Sequence, residues 1–181
     1  MPLTFLLGGV RSGKSRLAAR LAAAWRRPVV VIATAEPRDE EMARRIRQHQ
    51  AERPSGWQTV EEPVDLTGAL SQAPSDVGVV VDCLTLWVSN LVERGLSDEQ
   101  TLTRAERAAS RAAARPGPSV VVSNEVGSGI VPANPLARRF IDVLGLVNAA
   151  WAAKADRVFL VVAGRLVQTA DPDLLTDPCR G

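Results

Sequence analysis

The segment Gly8–Ser15 reads Gly-Gly-Val-Arg-Ser-Gly-Lys-Ser and matches the pattern G-x-x-x-x-G-K-[ST] at every fixed position. It follows a short apolar run, Leu3–Leu7, and leads into an alanine- and leucine-rich segment with helical spacing, Lys14–Trp25. A strand, a glycine-rich loop and a helix in this order form a phosphate-binding loop (P-loop), because backbone N–H groups and the helix N-terminus face the phosphates. A chance glycine-rich turn is the alternative, which the flanking strand and helix disfavour.

The P-loop pattern assigns roles to two side chains. Lys14 is predicted to reach the β- and γ-phosphates of a nucleoside triphosphate, and Ser15 to offer its hydroxyl to Mg²⁺. Only two of the 22 basic residues are lysines, and one of them stands where a compact ammonium suits the site better than a planar guanidinium. The pattern therefore predicts a site for Mg²⁺ and a nucleotide, with Lys14 as a catalytic residue.

Short apolar segments alternate with longer helical ones along the chain. Five segments are nearly continuous in Val, Ile, Leu and Phe, which is typical of strands buried on both faces of a parallel sheet: Leu3–Leu7, Val29–Ala33, Val77–Asp82, Ser119–Ser123 and Arg157–Ala163. Five segments with helical spacing lie between or beside them: Lys14–Trp25, Asp39–Glu52, Leu84–Arg94, Asp98–Arg115 and Leu136–Lys154. With the P-loop, this alternation predicts a three-layer α/β P-loop NTPase domain of the RecA-like kind, with a mainly parallel sheet.

The chain contains neither an internal repeat nor a convincing domain linker. We expect one domain over residues 1–170, ending in a small hairpin over Gly164–Thr169, and a mobile Pro/Asp-rich tail over residues 171–181. Asn134 followed by Pro135 is typical of a helix N-cap with proline at the first helical position. The stretches Ser71–Gly78 and Arg115–Ser119 are predicted to be turn-rich connectors.

Composition excludes several classes of function. With 46% hydrophobic residues and a net charge of +2, the chain is a folded domain without the basic surface that nucleic acids or anionic membranes require. Its single histidine excludes a His-rich metal centre, and Cys83 and Cys179 lie too far apart for a CxxC site. No segment resembles a signal peptide or a membrane span, so we expect a soluble cytoplasmic protein.

A P-loop requires a second carboxylate on the metal side, at the end of another buried strand. The apolar run Val79–Val81 ends at Asp82, which we interpret as this Walker-B acid, the alternative being an aspartate that caps a turn or a helix. Both lysines lack the surroundings of the N-K-x-D motif that Ras-like GTPases use for guanine, since Lys14 follows Gly13 and Lys154 follows Ala153. A GTPase switch of that type is therefore disfavoured.

The single histidine, His49, belongs to the predicted helix Asp39–Glu52. Met42, Ile46 and His49 share one helix face, and Arg45 and Arg53 flank the histidine by four residues on either side. One interpretation is a histidine packed on an apolar face. The other is a neutral imidazole, flanked by phosphate-binding arginines, that attacks a phosphorus centre. Periodicity alone leaves both open.

Together these segments resemble the bifunctional adenosylcobinamide kinase/adenosylcobinamide-phosphate guanylyltransferase family of cobalamin biosynthesis. The resemblance extends from Phe5 to about Val167. The P-loop is generic, whereas the Arg45–Arg53 and Ser123–Pro132 segments are specific. The matching motifs are Gly8–Ser15, Ile32–Ala35, Glu41-Met42, Arg45-Ile46-x-x-His49-x-x-x-Arg53, Trp57-x-Thr59-x-Glu61, Asp82–Trp87 and Ser123-Asn124-Glu125-Val126-Gly127-x-Gly129-Ile130-Val131-Pro132.

The resemblance implies an enzyme with two steps. Such enzymes phosphorylate adenosylcobinamide with ATP or GTP and then attach GMP from GTP, releasing pyrophosphate and giving adenosylcobinamide-GDP. It further implies that His49 carries GMP as a phosphoramidate, and that the protein is a homo-oligomer, specifically a trimer. The implied nucleotide contacts are Gly8, Gly9, Val10, Arg11, Ser12, Gly13, Lys14, Ser15, Ala33, Thr34, Ala35, Gln50, Ala51, Glu52, Arg53, Glu61 and Asp82, with Ser15 and Asp82 at the metal.

Some features stay open at this point. Glu125 is placed for metal, substrate or general-base work, or is a structural loop carboxylate. Trp57 and Trp87 are expected in the core or an interface rather than stacked on guanine, and Cys83 is expected to be a packed thiol. The alternative functions are a P-loop small-molecule kinase without nucleotidyl transfer and a non-catalytic nucleotide-binding switch.

Overall fold

The computed structural model describes residues 3–171 and forms one seven-stranded sheet with six helices in that range. The strands are β1 (Leu3–Gly8), β2 (Val29–Ala33), β3 (Gln58–Glu61), β4 (Gly78–Asp82), β5 (Ser119–Asn124), β6 (Arg157–Val162) and β7 (Arg165–Gln168). The helices are α1 (Lys14–Ala23), α2 (Glu40–Ala51), α3 (Leu66–Gln72), α4 (Leu84–Glu93), α5 (Asp98–Ala113) and α6 (Pro135–Ala152).

The strand order across the sheet is β3-β2-β4-β5-β1-β6-β7. Every neighbouring pair is parallel except β6 and β7, which form an antiparallel hairpin at one edge. The predicted mainly parallel α/β sheet is therefore confirmed. The hairpin predicted over Gly164–Thr169 differs from the one observed, because these residues supply only its second strand, β7, which pairs with β6. Since parallel strands end at the same edge, the residues that follow β1, β2, β3 and β4 lie along one side of the sheet.

The core has two layers because successive residues of each strand face opposite sides of the sheet. Val30 and Ile32 pack with α3, α4, α5 and α6, whereas Val29 and Val31 pack with α1 on the other face. Helix α2 lines a cavity together with α1 and the strand residues that face α1, and it has no buried residue of its own. The sheet thus has a thick apolar layer on one face and a thin one on the other, as a three-layer fold requires.

The predicted strands and helices are all present, with ends that differ by at most two residues. Asn134 caps α6, since its Oδ1 accepts hydrogen bonds from Leu136 N and Ala137 N and Pro135 is the first helical residue. The prediction of this cap is confirmed. The tail predicted over residues 171–181 falls, apart from Asp171, outside the described range, and the single-domain boundary at residue 170 stays a prediction.

Two elements have no counterpart in the prediction. Strand β3 is a four-residue edge strand whose residues are only partly buried, so it lacks the continuous apolar run that identifies the central strands. Helix α3 has seven residues and is preceded by its N-cap Asp65, whose carboxylate accepts a hydrogen bond from Gly68 N. It extends to Gln72, so the connector predicted from Ser71 starts two residues later than expected.

Within residues 3–171, no helix combines the length and apolarity needed to cross a membrane.

Candidate active site

The P-loop is held between strands rather than free in solvent. Gly8, the last residue of β1, pairs with Asn124 of β5 and Val161 of β6. A Cβ at Gly8 would lie 2.4 Å from the Val161 carbonyl oxygen, so only glycine fits there. Gly13 adopts a left-handed φ of 95° as the N-cap of α1, and Ser12 O accepts a hydrogen bond from Gly164 N in the β6–β7 turn. The loop backbone is therefore fixed by the central sheet and its hairpin.

Lys14 lies over this loop and is 7% exposed. Its Nζ donates to Gly8 O at 2.8 Å, Gly9 O at 2.6 Å and Ser12 Oγ at 3.3 Å. Burial lowers the pKa of Lys14, and the nearby Cys83 and Asp82 act in the opposite direction. The ammonium is thus held in the loop by acceptors that a bound phosphate would replace.

Asp82 ends β4 next to the P-loop helix. Its Oδ1 lies 3.4 Å from Ser15 Oγ, which brings together the two residues predicted to hold a metal. Both offer hard oxygen ligands, and Mg²⁺ in nucleotide sites commonly takes one or two protein oxygens beside those of the phosphates and water. The pair therefore fits Mg²⁺. In the described part of the chain, no group of three or more His, Cys, Asp and Glu forms a self-sufficient metal site.

Thr34, predicted at the nucleotide, has a fully buried side chain. Its Oγ1 donates to Cys83 O at 2.6 Å and accepts from Cys83 N at 3.0 Å, while Thr34 N donates to Asp82 O. The residue joins the ends of β2 and β4, so its hydroxyl is committed to the backbone beside Asp82. Burial raises the pKa of the Cys83 thiol to about 11, which matches the packed thiol expected from sequence.

His49 is half exposed and faces the site. Its Nδ1 lies 3.8 Å from Asp82 Oδ2, and 48% of its side-chain surface is accessible. Since α2 contributes no buried residue, the interpretation of His49 as a histidine packed on an apolar face is wrong. Met42 and Ile46 are only partly buried, because polar and charged side chains make up most of this helix.

The two arginines that flank His49 have different partners. Arg45 Nη2 lies 2.5 Å from Glu41 Oε1, one turn earlier on the helix. Arg53 is half buried and donates from Nη1 to Thr59 Oγ1 at 2.9 Å. Burial lowers the pKa of Arg53, and the charges of Asp82 and Glu61 oppose this shift, which places its guanidinium near the carboxylates of the site. Of the two, Arg53 is the one available to a phosphate.

A cavity lies between α1, α2 and the sheet. Its polar side includes four predicted nucleotide residues, Ser15, Glu52, Arg53 and Asp82, together with His49. The remaining lining residues are Arg16, Ala19, Val31, Trp57 and Val80. Trp57 is half buried and forms part of the cavity wall, whereas Trp87 is buried in the core and donates from Nε1 to Val64 O.

The other predicted contacts lie around this cavity without lining it. Gln50 Nε2 donates to Glu61 Oε1 at 3.2 Å, which links α2 to the end of β3. The exposed Ala51 follows Gln50 on α2, and Ala33 and Ala35 flank Thr34 at the end of β2. Gly9, Val10 and Arg11 are exposed at the rim of the P-loop.

Glu125 lies directly beside the P-loop. Its backbone N donates to Gly8 O at 3.1 Å, continuing the pairing of β5 with β1. Its carboxylate accepts a hydrogen bond from Gly127 N at 2.8 Å. In this conformation the side chain closes the turn after β5.

Sequence reasoning assigned no role to two polar residues that hold parts of the site, although Thr59 belongs to the matching motif Trp57-x-Thr59-x-Glu61. Thr59 holds Arg53, and Asn90 is a buried polar residue among the buried apolar residues of α4. An asparagine between apolar residues of a helix is a usable signal, because buried amides require several hydrogen-bond partners. The short edge strand that carries Thr59 gives no such signal.

Comparison with known proteins gives the family. The model of the family described as "Cobinamide kinase / cobinamide phosphate guanyltransferase" matches residues 4–169. The bifunctional adenosylcobalamin biosynthesis protein CobP of Pseudomonas aeruginosa is 46% identical over 162 residues, covering 88% of this chain and 92% of that protein. The corresponding CobU of Salmonella typhimurium is 39% identical over 181 residues, covering 90% and 96%.

Similarity to solved structures concerns the fold alone. A type III secretion ATPase has a TM-score of 0.57 at 11% identity, covering 98% of this chain and 53% of its own. The RadB recombinase has a TM-score of 0.50 at 17% identity, covering 88% and 73%. The predicted P-loop NTPase fold of the RecA-like kind is thereby confirmed. By the match over residues 4–169 and its relatives, the chain belongs to the cobinamide kinase/cobinamide phosphate guanyltransferase family.

Proposed function

We propose that this chain phosphorylates adenosylcobinamide with a nucleoside triphosphate and then transfers GMP from GTP to the resulting phosphate, through a guanylyl group on His49. The product is adenosylcobinamide-GDP. One observation supports the covalent step above all. Asp82 stands between the P-loop helix and α2, 3.4 Å from Ser15 Oγ and 3.8 Å from His49 Nδ1, so the histidine adjoins a triphosphate site.

The first step is transfer of the γ-phosphoryl group to the substrate hydroxyl. Lys14 and the P-loop N–H groups would hold the phosphates in place and offset the negative charge that builds up on the transferred group. Ser15 and Asp82 would hold Mg²⁺, which supplies further charge neutralisation at the phosphates. The bond between the γ-phosphorus and its bridging oxygen breaks as the bond to the substrate oxygen forms, so that the nucleoside diphosphate leaves and the hydroxyl proton is released to solvent.

The second step begins with attack of an imidazole nitrogen of His49 on the α-phosphorus of GTP. The P–N bond forms, the bond from the α-phosphorus to its bridging oxygen breaks, and pyrophosphate leaves toward Lys14 and the P-loop. A phosphate oxygen of adenosylcobinamide phosphate then attacks the same phosphorus, the P–N bond breaks, and His49 is regenerated. Arg53 would balance the charge of the α-phosphate during both attacks.

The cavity beside His49 provides space for the rest of the nucleotide. It combines an apolar floor of Ala19, Val31 and Val80 with the indole of Trp57 and the polar groups of Glu52. Such a mixture of an apolar surface and a few polar groups suits a purine base. The remaining predicted contacts, Gln50 and Glu61, lie at its edge.

We also propose that the protein is a homo-oligomer, a trimer as the family resemblance implies, and that it acts in the cytoplasm without a nucleic-acid partner. Exposed apolar side chains support the oligomer, since isolated domains rarely leave several of them together. Val162, Leu166 and Val167 are each about half exposed on the edge hairpin, and Ile130 is 96% exposed after β5.

The test is to incubate the protein with GTP labelled at the α-phosphate, denature it, and look for label that acid removes and alkali does not. Wild-type protein and the Gln48→Ala control, changed at an exposed neighbour on α2, are expected to carry the label. His49→Ala is expected to carry none. Unlabelled wild-type protein, or label that survives in His49→Ala, would overturn the covalent step and favour a kinase without nucleotidyl transfer.

A further inference from the structure

Asn90 is a buried amide in the middle of α4, only 2% exposed. Its Nδ2 donates to Thr34 O at 2.7 Å and to Pro63 O at 3.0 Å, and its Oδ1 accepts from Arg38 Nη2 at 2.6 Å. Both amide hydrogens and the carbonyl oxygen are therefore engaged. A fully satisfied buried amide fixes its partners strongly, because each lost partner would leave a desolvated polar group.

The partners of Asn90 come from three separate segments of the chain, and each leads to part of the site. Thr34 follows β2, Pro63 lies two residues after Glu61 at the end of β3, and Arg38 immediately precedes Asp39, the N-cap of α2. The helix that carries Asn90 itself starts two residues after Asp82. One side chain thus connects the ends of β2 and β3 and the start of α2 to the helix behind Asp82.

Helix α2 depends on such polar connections. It has no fully buried residue, and its apolar side chains Met42 and Ile46 are only partly buried, so apolar packing fixes it weakly. Arg38 extends the connection outward, since it also binds Glu36 at 3.1 Å and pairs with Glu93. Arg94 donates to both Glu36 oxygens, at 2.6 and 3.1 Å. The segment that enters α2 is therefore anchored to α4, with Asn90 at the buried end of the anchor.

The P-loop is connected differently. Gly8 pairs with β5 and β6, and Ser12 O accepts from Gly164 N. None of the hydrogen bonds of the Asn90 side chain goes to Gly8–Ser15. Disturbing Asn90 should therefore move α2 and the end of β3 relative to Asp82 while leaving the phosphate-binding loop in place.

We propose that Asn90 is a positioning residue for guanylyl transfer: through Arg38, Thr34 and Pro63 it sets the position of His49 relative to Asp82. This inference rests on the proposed function, since it assigns to Asn90 the alignment of the histidine with the α-phosphorus. A misplacement of about 1 Å at a reacting group can slow a reaction about 100-fold. The same misplacement at α2 has little consequence for γ-phosphoryl transfer at the P-loop.

Two variants test the proposal. Asn90→Asp keeps the shape and the acceptor for Arg38 but places a carboxylate oxygen against two carbonyl oxygens. Arg38→Met removes the contacts of the segment before α2 with Asn90, Glu36 and Glu93 but leaves the hydrogen bonds from Asn90 to Thr34 and Pro63 in place. Arg38 is exposed enough that folding should be preserved. Asn148→Asp is the matched control, because Asn148 is also buried, on α6, and donates to Asn124 O instead.

The readout is the rate of α-labelling of His49 compared with the rate of γ-phosphoryl transfer to adenosylcobinamide. Asn90→Asp is expected to lose about 100-fold in labelling and less than about 3-fold in phosphoryl transfer, with Arg38→Met between it and wild type. Asn148→Asp should not change the ratio of the two rates. Equal loss of both rates in Asn90→Asp and Arg38→Met would overturn the proposal, since it would indicate a purely structural role.

A second readout is independent of catalysis. His49 is the only histidine in the chain, so its imidazole C–H signals in proton NMR are unambiguous. Asn90→Asp and Arg38→Met are expected to shift these signals toward those of free histidine, and Asn148→Asp to leave them in place. Unchanged signals in both variants would contradict the anchoring. If wild-type protein takes up no α-label but the signals shift, the proposed function fails while the anchor itself stands.

Discussion

The two halves of the candidate site are built in opposite ways. The P-loop continues the almost fully buried strand β1 and is held by backbone contacts to β5, β6 and the Gly164 turn. His49 stands on α2, which has no buried residue and is held by polar side chains. Backbone groups that are fixed by a packed core keep one conformation. A helix that is held by polar side chains can change its position with little loss of core packing. The difference suits an enzyme that keeps one phosphate site for two reactions and adds a nucleophile to it.

The largest effect on the reaction rates is expected from a substitution in the P-loop, which is the rigid half of the site. Replacing the P-loop ammonium in Lys14→Met should lower both γ-phosphoryl transfer and α-labelling by about 1000-fold, since both reactions use the same phosphate site. Parallel assays of the two labels would measure this. The control is Lys154→Met, which changes the only other lysine, exposed after α6, and should leave both rates unchanged. Loss of only one of the two reactions in Lys14→Met would contradict a phosphate site that both reactions share.

An intermediate effect distinguishes the two arginines around His49. Arg53 lies on the cavity and Arg45 is paired with Glu41, so Arg53→Met should slow α-labelling about 10- to 100-fold, as loss of a charged hydrogen bond does. Arg45→Met should slow it by less than about 3-fold. Single-turnover labelling rates would compare them. Equal effects at both positions would show that the position of Arg53 on the cavity and the pairing of Arg45 with Glu41 do not decide which arginine contacts the phosphate.

The smallest effect concerns the anchor of α2. Hydrogen bonds from Arg94 and Arg38 lower the pKa of Glu36 to about 2 from its ordinary 4.5. A carboxyl with a lowered pKa stabilises the fold above the unfolded-state pKa, and this contribution is lost as the pH falls from 4.5 toward 2. Glu36→Gln should therefore lower the Tm by about 2–4 °C at most near pH 7.

This difference in Tm between wild type and Glu36→Gln should be the same at pH 7 and pH 5 and smaller at pH 3. Thermal unfolding followed by circular dichroism at the three pH values would measure it. Glu106→Gln, at an exposed position of α5, is the control and should give no such pH dependence. A difference that grows as the pH falls would contradict the lowered pKa of Glu36.

The structural elements that could be predicted from the sequence are those with a regular apolar pattern or with a motif of fixed spacing. The central strands appear as continuous apolar runs because both their faces are buried, and the P-loop has a fixed pattern that its backbone requires. Strand β3 is an edge strand with exposed ends, and α3 is too short for a clear periodicity. Both therefore gave no signal.

Within the site, the residues that contribute were easier to predict than the orientation of their side chains. Periodicity placed His49 on an apolar face, yet the face is too polar to be buried and the imidazole reaches Asp82 instead. Thr34 belongs to a predicted contact segment, but its hydroxyl binds Cys83 in the interior. Such outcomes depend on neighbours that lie far away in sequence, and so does the role of Asn90, whose partners come from residues 34, 38 and 63.

The central claim is that the rigid half performs the first reaction and that His49 is needed only for the second. It is tested by incubating His49→Ala with adenosylcobinamide and GTP and analysing the products by mass spectrometry. The account predicts that adenosylcobinamide phosphate accumulates at a rate within about 3-fold of wild type, without adenosylcobinamide-GDP. Formation of adenosylcobinamide-GDP by His49→Ala, or loss of the phosphorylated product as well, would contradict it.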